Sequence, residues 1–454
     1  MSHVRSVAPL RRFFESVRQS YDLAYRSLVV FSTAAVIAAG YLRAQHRAKK
    51  LSPEAASQLW EQQHRRSAPK LAQLAVRLRG LLVKSGQYLS ARPDLLPVAY
   101  IEALAGLQDA VPSRPYRLIA RRIERELGAR PEELFAQFEQ QPVASASLAQ
   151  VHRARLRDGR TVAVKVLYPG IEGIVRSDIR NLGLIVNIVG RIWPRYDFRA
   201  VYREVARLVP YELDLKNEAA NLQRIAADLA HRDDVVIPQY VPERSATGVL
   251  TMEFIEGMQI ADVNAMRAAG INTRRTAERV VDLFGDQILA HGFFHGDPHP
   301  GNLLVLADGR IALLDFGQCL ALSPEVRRGF ALLSHSAATF NPAGMIEAVQ
   351  MVGVHLPATD MAAYLRMARQ TLGMGADPAE DAAVDSRTVN VRMARGFHGI
   401  SLDGMSGEAM FVFRVQGLLR GLRARLGARG AVIAAWDDYA VPVLAEPEAE
   451  AAAS

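Results

Sequence analysis

The chain has 454 residues, half of them hydrophobic and 22% charged, a composition that excludes a disordered or fibrous protein and suffices for about two or three packed units. Its single cysteine, Cys319, excludes an intrachain disulfide and a cysteine-based zinc site, which favours a reducing compartment such as the cytoplasm. The net charge of +8 originates in residues 1–70, where twelve Lys or Arg face four acids. Such a basic segment is typical either of a solvated helical face or of contact with an anionic surface.

An uncharged run of sixteen residues, Ser27 to Leu42, lies within this basic segment. The run is shorter than the roughly 20 apolar residues of a membrane-spanning helix. Acidic residues precede it and basic residues resume at Arg43, so it does not resemble a signal peptide. The run predicts a buried helix or a helix at the bilayer surface, and therefore peripheral contact with the inner membrane.

Helical spacing of apolar residues predicts a helical region over 52–107, interrupted at Pro53, Pro93 and Pro97. The pattern changes near Pro112, and two β-branched runs then flank an Asp-Gly turn, which predicts an antiparallel hairpin of 150–156 and 161–167. Further helical and strand patterns follow: helices over 171–230, broken near Pro194 and Pro210, strands at 235–237 and 248–254, mainly helix over 258–426, and strands at 303–306 and 311–314.

These patterns divide the chain into five segments. They are a basic helical N-terminal segment, a helical extension, a small α/β unit with a helical insertion, a mainly helical unit and a disordered acidic tail: 1–50, 51–110, 111–257, 258–440 and 441–454.

The strongest chemical signal is His-Gly-Asp-Pro-His-Pro-Gly-Asn at 295–302, followed by two strand candidates and Asp315-Phe316-Gly317. Phosphoryl transfer requires a carboxylate beside the attacking oxygen and hard oxygen ligands for Mg²⁺. Asp297 is therefore the candidate base, and Asn302 and Asp315 are the candidate metal ligands. This spacing matches the catalytic loop and D-F-G pattern of kinases, and it predicts ATP and Mg²⁺ as cofactors.

A lysine and an alanine-rich loop lie upstream of this loop. Lys165 ends a strand candidate, Val-Ala-Val-Lys, as the phosphate-binding lysine of kinases does. No glycine-rich loop precedes it, but the backbone N–H groups and serine hydroxyls of the alanine-rich loop are candidates to cover phosphates. The predicted cofactor-binding residues are Ala144, Ser145, Ala146, Ser147, Leu148, Ala149, Lys165, Glu253 and Asp315.

A histidine metal site is a rival interpretation, because His291, His295 and His299 recur every four residues. Pro298 and Pro300 exclude a continuous helix through this segment, so the three rings cannot share a helical face. His295 is instead predicted to pack and to orient the loop.

Two departures from ordinary protein kinases argue against a protein substrate. Gly296 stands where kinases that are switched by loop phosphorylation carry arginine. Pro324-Glu325 follows the Asp-Phe-Gly motif after six residues, which leaves too little chain for a peptide-docking platform. Small molecules, lipids or bare ATP hydrolysis remain as the predicted chemistry.

Together these motifs resemble the UbiB/AarF/ADCK family of atypical protein-kinase-like proteins, from about Ser27 to Arg328. The family's K-x-G-Q signature is similar to Lys84-Ser85-Gly86-Gln87, its E-x-D element to Glu212-Leu213-Asp214, and its helix glutamate to Glu218. The resemblance implies an α+β, two-lobed protein-kinase-like fold with an all-helical N-terminal extension. It also implies that the helix bearing Lys84 and Gln87 lies across the substrate cleft and suppresses protein phosphorylation.

Spacing alone leaves the pairing of these residues open. Lys84 and Gln87, at i and i+3, share a helical face, and so do Asp214 and Glu218, whereas Glu212 would point away on a regular helix. Which acid meets Lys84 and which meets Lys165 therefore stays open. The predicted catalytic residues are Asp297, Lys165, Glu218, Lys84 and Gln87, and the predicted regulatory residues are Lys84, Gln87, Glu212 and Asp214.

The resemblance further implies ATP binding with Mg²⁺, weak ATPase activity, and support of isoprenoid-quinone (ubiquinone) biosynthesis or membrane-lipid homeostasis, with a lipid or quinone precursor as partner. Two alternatives are a small-molecule phosphotransferase of the aminoglycoside or choline kinase type and an ATP-binding pseudokinase scaffold. Nucleic-acid binding is not expected, because no aromatic-rich basic strand accompanies the charge. The substrate and the oligomeric state stay open.

Overall fold

The computed structural model describes residues 7–90, 96–108, 113–193, 199–354, 386–396 and 405–447. Its helices and strands form an α+β chain with a helical N-terminal region, a lobe built on an antiparallel sheet, and a larger helical lobe. Separate apolar cores lie behind the antiparallel sheet and within the helical lobe.

The N-terminal region consists of four helices followed by a short 3₁₀ turn, which confirms the helical prediction for the described part of 52–107. They are α1 (Val7–Ala48), α2 (Pro53–Leu78), α3 (Leu81–Ser90) and α4 (Val98–Leu104). Helix α2 begins where the sequence indicates, because Pro53 occupies its first turn and the Ser52 hydroxyl accepts a hydrogen bond from the backbone N–H of Ala55 at 3.3 Å. It ends at Arg79 and Gly80, both with positive φ, a break that no proline marks. The predicted breaks at Pro93 and Pro112 lie outside the described residues.

Helix α1 extends well beyond the uncharged run that the sequence marks. Over Ser20–Ala48 it is long and apolar enough, by length and composition alone, to cross a membrane, and only 17% of its most apolar window is buried. A buried ion pair holds it to the rest of the protein: Arg26 contacts Asp178 at 2.5 Å, and the Asp178 side chain is fully buried. Burial raises the pKa of Asp178, against the opposing effect of Arg26.

The described part of the smaller lobe contains five α-helices and six strands. They are α5 (Tyr116–Leu127), α6 (Pro131–Leu134), β1 (Gln137–Phe138), β2 (Ala144–Ser145), β3 (Ala149–Arg155), β4 (Thr161–Leu167), α7 (Ile171–Ile192), α8 (Arg199–Tyr211), α9 (Leu215–Asp228), β5 (Val235–Val236) and β6 (Val249–Glu253). The sheet has the antiparallel order β1-β3-β4-β6, with β2 paired to β3.

The hairpin of β3 and β4 confirms the strand prediction. Burial alternates along β3, and seven residue pairs join the two strands from Ala149↔Leu167 to Arg155↔Thr161. The turn needs Gly159, whose φ is 94°, while Asp158 Oδ1 accepts a hydrogen bond from the N–H of Arg160 at 3.0 Å.

The larger lobe contains the remaining described elements. They are β7 (Met258–Gln259), α10 (Val263–Ala268), α11 (Thr273–Gly285), β8 (Phe293–His295), β9 (Leu303–Val305), β10 (Ile311–Leu313), β11 (Cys319–Ala321), α12 (Pro324–Ala338), α13 (Pro342–Met351), α14 (Ser386–Gly396), α15 (Gly407–Arg425) and α16 (Asp437–Ala445). A π-helical turn, Asp286–Ala290, continues α11. Strands β7, β9 and β10 pair in the order β10-β9-β7, and β8 pairs with β11.

Two features differ from the sequence predictions. Strand β5, which the pattern groups with the smaller lobe, pairs in parallel with β10 of the larger lobe, a long-range register that no local pattern encodes. The tail predicted to be disordered from residue 441 is wrong over its first residues, because α16 continues to Ala445 and Val443 is buried. Glu446 accepts hydrogen bonds from Arg327 at 3.2 Å.

Candidate active site

One cleft between the two lobes brings together most of the residues predicted from sequence. The cavity volume of this cleft is about 100 Å³. The predicted residues that line it are Ala146, Ser147, Leu148, Ala149, Lys165, Glu212, Asp214, Glu218, Asp297, Asn302 and Asp315.

Lys165 lies at the base of this cleft, in the middle of β4, where neighbours on both sides of the sheet fix its backbone. Its ammonium donates to both carboxylate oxygens of Glu218, at 2.7 and 2.9 Å, and to Asp315 Oδ1 at 3.0 Å. Burial lowers the pKa of Lys165, but the two carboxylates outweigh burial and raise it. Lys165 therefore carries its charge throughout the physiological pH range.

Glu218 is the acid that pairs with Lys165, a pairing that spacing alone left open. Its carboxylate is almost wholly buried, and burial raises its pKa to about 7. The positive charge of Lys165 acts to lower this pKa, and the like charge of Asp315 acts to raise it. One ammonium thus faces two carboxylates. The base of the cleft therefore has an excess of negative charge on the side of Asp315, which is the more exposed acid.

The E-x-D residues reach the cleft from the junction of α8 and α9. Helix α9 begins at Leu215, and the Asp214 side chain caps it by accepting a hydrogen bond from the N–H of Lys216 at 3.0 Å. Asp214 therefore precedes the helix that carries Glu218, and both residues line the cleft. Because the chain turns after Tyr211, Glu212 also lines the cleft instead of pointing away.

His295 joins the catalytic-loop segment to the Asp-Phe-Gly segment, as the sequence predicts. The ring is fully buried, and its Nε2–H donates to the carbonyl oxygens of Leu314 at 3.0 Å and Asp315 at 2.9 Å. Its Nδ1 accepts from the N–H of Asp297 at 3.3 Å, a pattern that assigns the Nε2-protonated neutral tautomer. One imidazole thus links Asp297, the predicted base, to the backbone of Asp315, a predicted metal ligand.

Arg414 is a site residue that motif spacing does not reveal. It lies on α15, an almost wholly buried helix, and its Nη2 donates to Asp297 Oδ1 at 2.8 Å while Nη1 donates to the Gly296 carbonyl at 3.0 Å. Asn302 holds the same loop from the other end, because its Nδ2 donates to the Asp297 carbonyl at 3.1 Å. A charged residue within the otherwise apolar run 409–415 was the signal that could have identified Arg414.

Asp315 has an uncommon backbone conformation for a residue with a side chain. Its φ is 58°, in the left-handed region that Asp tolerates better than most residues. Its Oδ1 accepts a hydrogen bond from the N–H of Gly317 at 3.3 Å, which closes a tight turn at the start of a 3₁₀ helix. The turn directs the carboxylate into the cleft beside Lys165.

The remaining predicted site residues differ in their positions. Ala144 and Ser145 form β2, and the described lining of the cleft includes neither of them. It does not include Glu253 either, whose carboxylate accepts a hydrogen bond from the N–H of Gln239 at 3.3 Å. Lys84 and Gln87 lie on α3, which packs against α7 and α8, but their side chains lie outside the described part.

The thiol of Cys319 lies beside the cleft and takes no part in it. Burial, together with the negative charges of Glu218 and Asp315, raises the pKa of Cys319 far above that of a reactive thiol. The group therefore stays protonated and unreactive.

The pattern described as the ABC1 atypical kinase-like domain matches residues 106–349. Protein ACTIVITY OF BC1 COMPLEX KINASE 8, chloroplastic, of Arabidopsis thaliana is 36% identical over 64% of this chain, but the match spans only 39% of that protein. AarF domain-containing protein kinase 1 of mouse is 32% identical over 88% of this chain and 77% of its own length.

A solved structure shares the fold. It is the complex of Rv3197 with erythromycin from Mycobacterium tuberculosis, which is 26% identical and aligns with a TM-score of 0.58 over 87% of this chain and 99% of that one. The two-lobed kinase-like fold with a helical N-terminal region is therefore the one predicted. On the family pattern and these relatives, the chain belongs to the ABC1/AarF family of atypical kinase-like proteins, which includes the UbiB and ADCK proteins that its motifs resemble.

Proposed function

We propose that this chain binds Mg-ATP and acts as a phosphotransferase or ATPase. The observation that carries the proposal is the convergence in one cleft of Lys165, Glu218, Asp297, Asn302 and Asp315, which come from four separate parts of the sequence. A structural ion-pair network would explain Lys165 with its two acids, but it would not require Asp297 and Asn302 beside them.

The residues fit a hard divalent cation. The excess negative charge at Asp315 favours a cation, and carboxylate and amide oxygens are the ligands that Mg²⁺ prefers. Because the Asn302 amide donates through Nδ2 to the Asp297 carbonyl, its oxygen is left as an acceptor. Asn302 and Asp315 would hold Mg²⁺, which when bound neutralises the charge that develops on the phosphates.

The other residues of the cleft position the phosphates and the attacking oxygen. The Lys165 ammonium, held by Glu218, is placed to bind phosphate oxygens, and the loop Ala146–Ala149 borders the same space with its backbone groups. Arg414 fixes the Asp297 carboxylate through Oδ1, so Asp297 orients the attacking hydroxyl or water and accepts its proton. Arg414 acts through Asp297 and is a positioning residue.

Suppression of protein phosphorylation by the N-terminal helices is part of this proposal. Helix α3 packs against α8, the helix that leads into Glu212 and Asp214 at the cleft. Helix α3 packs closely against its neighbours at Gly86, because a Cβ added there would lie 2.6 Å from Leu107 Cδ1. The role in isoprenoid-quinone biosynthesis or membrane-lipid homeostasis rests on the family resemblance alone.

In this proposal helix α1 contacts the surface of the inner membrane peripherally. The rest of the chain lies in the cytoplasm. Five exposed apolar residues fall within an arc of roughly 120° on an ideal helix: Tyr21, Tyr25, Leu28, Val36 and Leu42. Four exposed basic residues follow toward the end of the helix, at positions 43, 47, 49 and 50. This combination favours an anionic lipid surface.

A second candidate function is small-molecule phosphorylation. The erythromycin complex of the structural neighbour favours it, since that ligand is a small molecule bound to the same fold. The assay below distinguishes the two, because a small-molecule kinase transfers phosphate to an added acceptor whereas an ATPase releases it to water.

We expect Asp315→Asn to lower Mg²⁺-dependent turnover of labelled ATP at least ~100-fold, because the variant loses a charged metal ligand and a partner of Lys165. Phosphate release, and label transfer to erythromycin or to a quinone-like phenol, are measured together. Asp308→Asn is the matched control, since Asp308 is an exposed acid that pairs only locally with Arg310. Unchanged turnover in Asp315→Asn, or loss in both variants, would contradict the assignment.

The suppression proposal predicts a gain of activity. Gly86→Val should displace α3 through its clash with Leu107, so that labelled phosphate reaches an added protein such as casein at least ~10-fold faster than with wild type. The double variant Gly86→Val/Leu107→Ala makes room for the new side chain and should restore the low rate. No protein labelling by Gly86→Val, with ATP turnover retained, would refute suppression by this helix.

Binding to anionic vesicles should fall at least ~10-fold in Leu28→Glu/Val36→Glu, because the charges lie in the middle of the exposed apolar stripe. Vesicle binding is measured by co-sedimentation of the protein with the vesicles at two salt concentrations. Phe340→Glu is the control, since the Phe340 side chain is 87% exposed but lies on the larger lobe, away from α1. Equal binding by the three proteins would exclude α1 as the contact.

A further inference from the structure

A second group of metal-binding side chains lies outside the cleft. His231, Asp286 and His291 place one ligand atom each within 4.8 Å of one another. His231 Nε2 lies 3.0 Å from Asp286 Oδ2, and His291 Nε2 lies 3.4 Å from Asp286 Oδ1. His231 follows α9 in the smaller lobe, whereas Asp286 and His291 flank the π-helical turn that leads into β8.

Both imidazoles lie against oxygen atoms, and His231 faces an acceptor with each of its nitrogens. His231 Nδ1 lies 3.1 Å from the Asp228 carbonyl while Nε2 faces Asp286. His291 Nε2 also faces Asp286, and its Nδ1 lies 4.0 Å from Asp228 Oδ1. A neutral imidazole has one N–H and can satisfy only one acceptor. A cation between the rings and the Asp286 carboxylate would let His231 Nδ1–H donate to the Asp228 carbonyl while its Nε2 binds the ion.

The charges around the group favour a divalent cation. Among the residues that the structure describes, four carboxylates, those of Asp228, Asp234, Asp282 and Asp286, form ion pairs with two guanidinium groups, those of Arg224 and Arg232. With neutral imidazoles the sum is two negative charges, which one divalent ion would balance. Arg232 does touch Asp286, at 3.3 Å, but it is already held by Asp234 at 3.0 Å and Asp282 at 2.8 Å.

The donor set and its spacing identify the class of ion. Tetrahedral zinc with bonds of about 2.0–2.1 Å separates its ligand atoms by roughly 3.3 Å, close to the two separations here. Two imidazoles and a carboxylate suit zinc or a similar borderline transition metal better than Mg²⁺ or Ca²⁺. His231 Nδ1–H, by donating to the Asp228 carbonyl, leaves Nε2 as the metal-binding atom.

We propose that His231, His291 and Asp286 form a site for Zn²⁺ or a chemically similar transition-metal ion, with Asp228 as the carboxylate beside His291. Asp286 is buried and His231 is exposed, so the ion has a fixed anchor and a path from solvent. The site joins the end of α9, the helix that carries Glu218, to the turn that precedes the Asp297 loop. Its role is to fix α9 against the larger lobe, separately from the nucleotide cleft.

The test uses the full, untagged, chelator-treated chain in excess Mg²⁺, which occupies hard oxygen sites. Equilibrium dialysis with Zn²⁺ and the visible absorption spectrum of added Co²⁺ are measured for wild type, His231→Ala and His335→Ala. His335→Ala is the matched control, because His335 also contacts a carboxylate, Asp437 at 2.9 Å, but belongs to no such cluster among the described residues.

We expect wild type and His335→Ala each to bind one more equivalent of Zn²⁺ than His231→Ala, and to show a tetrahedral Co²⁺ spectrum. His231→Ala should bind the ion at least ~100-fold more weakly. Asp228→Asn should weaken binding by about 10-fold and retain the spectrum. His231 is exposed, so its removal leaves the fold intact. Equal uptake by wild type and His231→Ala would overturn the proposal. So would a stability difference between them that follows pH without any metal uptake, since it would identify a doubly protonated histidine pair.

Discussion

The ammonium of Lys165 is the interaction on which the cleft depends. It is bound by Glu218 from α9 and by Asp315 from the turn after β10, so one charge links the sheet, a helix and the larger lobe. Because two carboxylates share it, the base of the cleft is short of one positive charge. Burial, helped by the like charge of Asp315, raises the pKa of Glu218. The shortage of positive charge makes the site suitable for a cation beside Asp315.

The larger lobe provides the rigid side of the site. His295 donates to the carbonyl groups of Leu314 and Asp315 and accepts a hydrogen bond from the N–H of Asp297. Arg414 binds the Asp297 carboxylate from a helix that runs through the apolar core. The loop is thus positioned by groups that are buried and fully packed. Site geometry of this kind is costly to disturb, since a loss of packing around α15 would move Asp297 directly.

Much of the cleft was predictable from sequence, because its chemistry fixes residue types and their order. Lys165, Asp297 and Asp315 follow from motifs, and the hairpin that carries Lys165 follows from two β-branched runs around an Asp-Gly turn. Arg414 was not predictable from motif spacing, since it is distant in sequence, and only its charge within the apolar run 409–415 points to it. The pairing of β5 with β10 and the capping role of Asp214 depend on tertiary contacts and a helix start that local patterns do not specify.

The most direct test of the charge imbalance is the Mg²⁺ dependence of ATP binding, measured by calorimetry for wild type and Glu218→Gln. The variant leaves the Lys165 ammonium to Asp315 alone, so the apparent affinity for Mg²⁺ in the presence of ATP should fall by about tenfold. Glu256→Gln, at an exposed acid paired with Arg153, should leave it unchanged. An identical Mg²⁺ dependence in wild type and Glu218→Gln, or no ATP binding by wild type, would contradict the account.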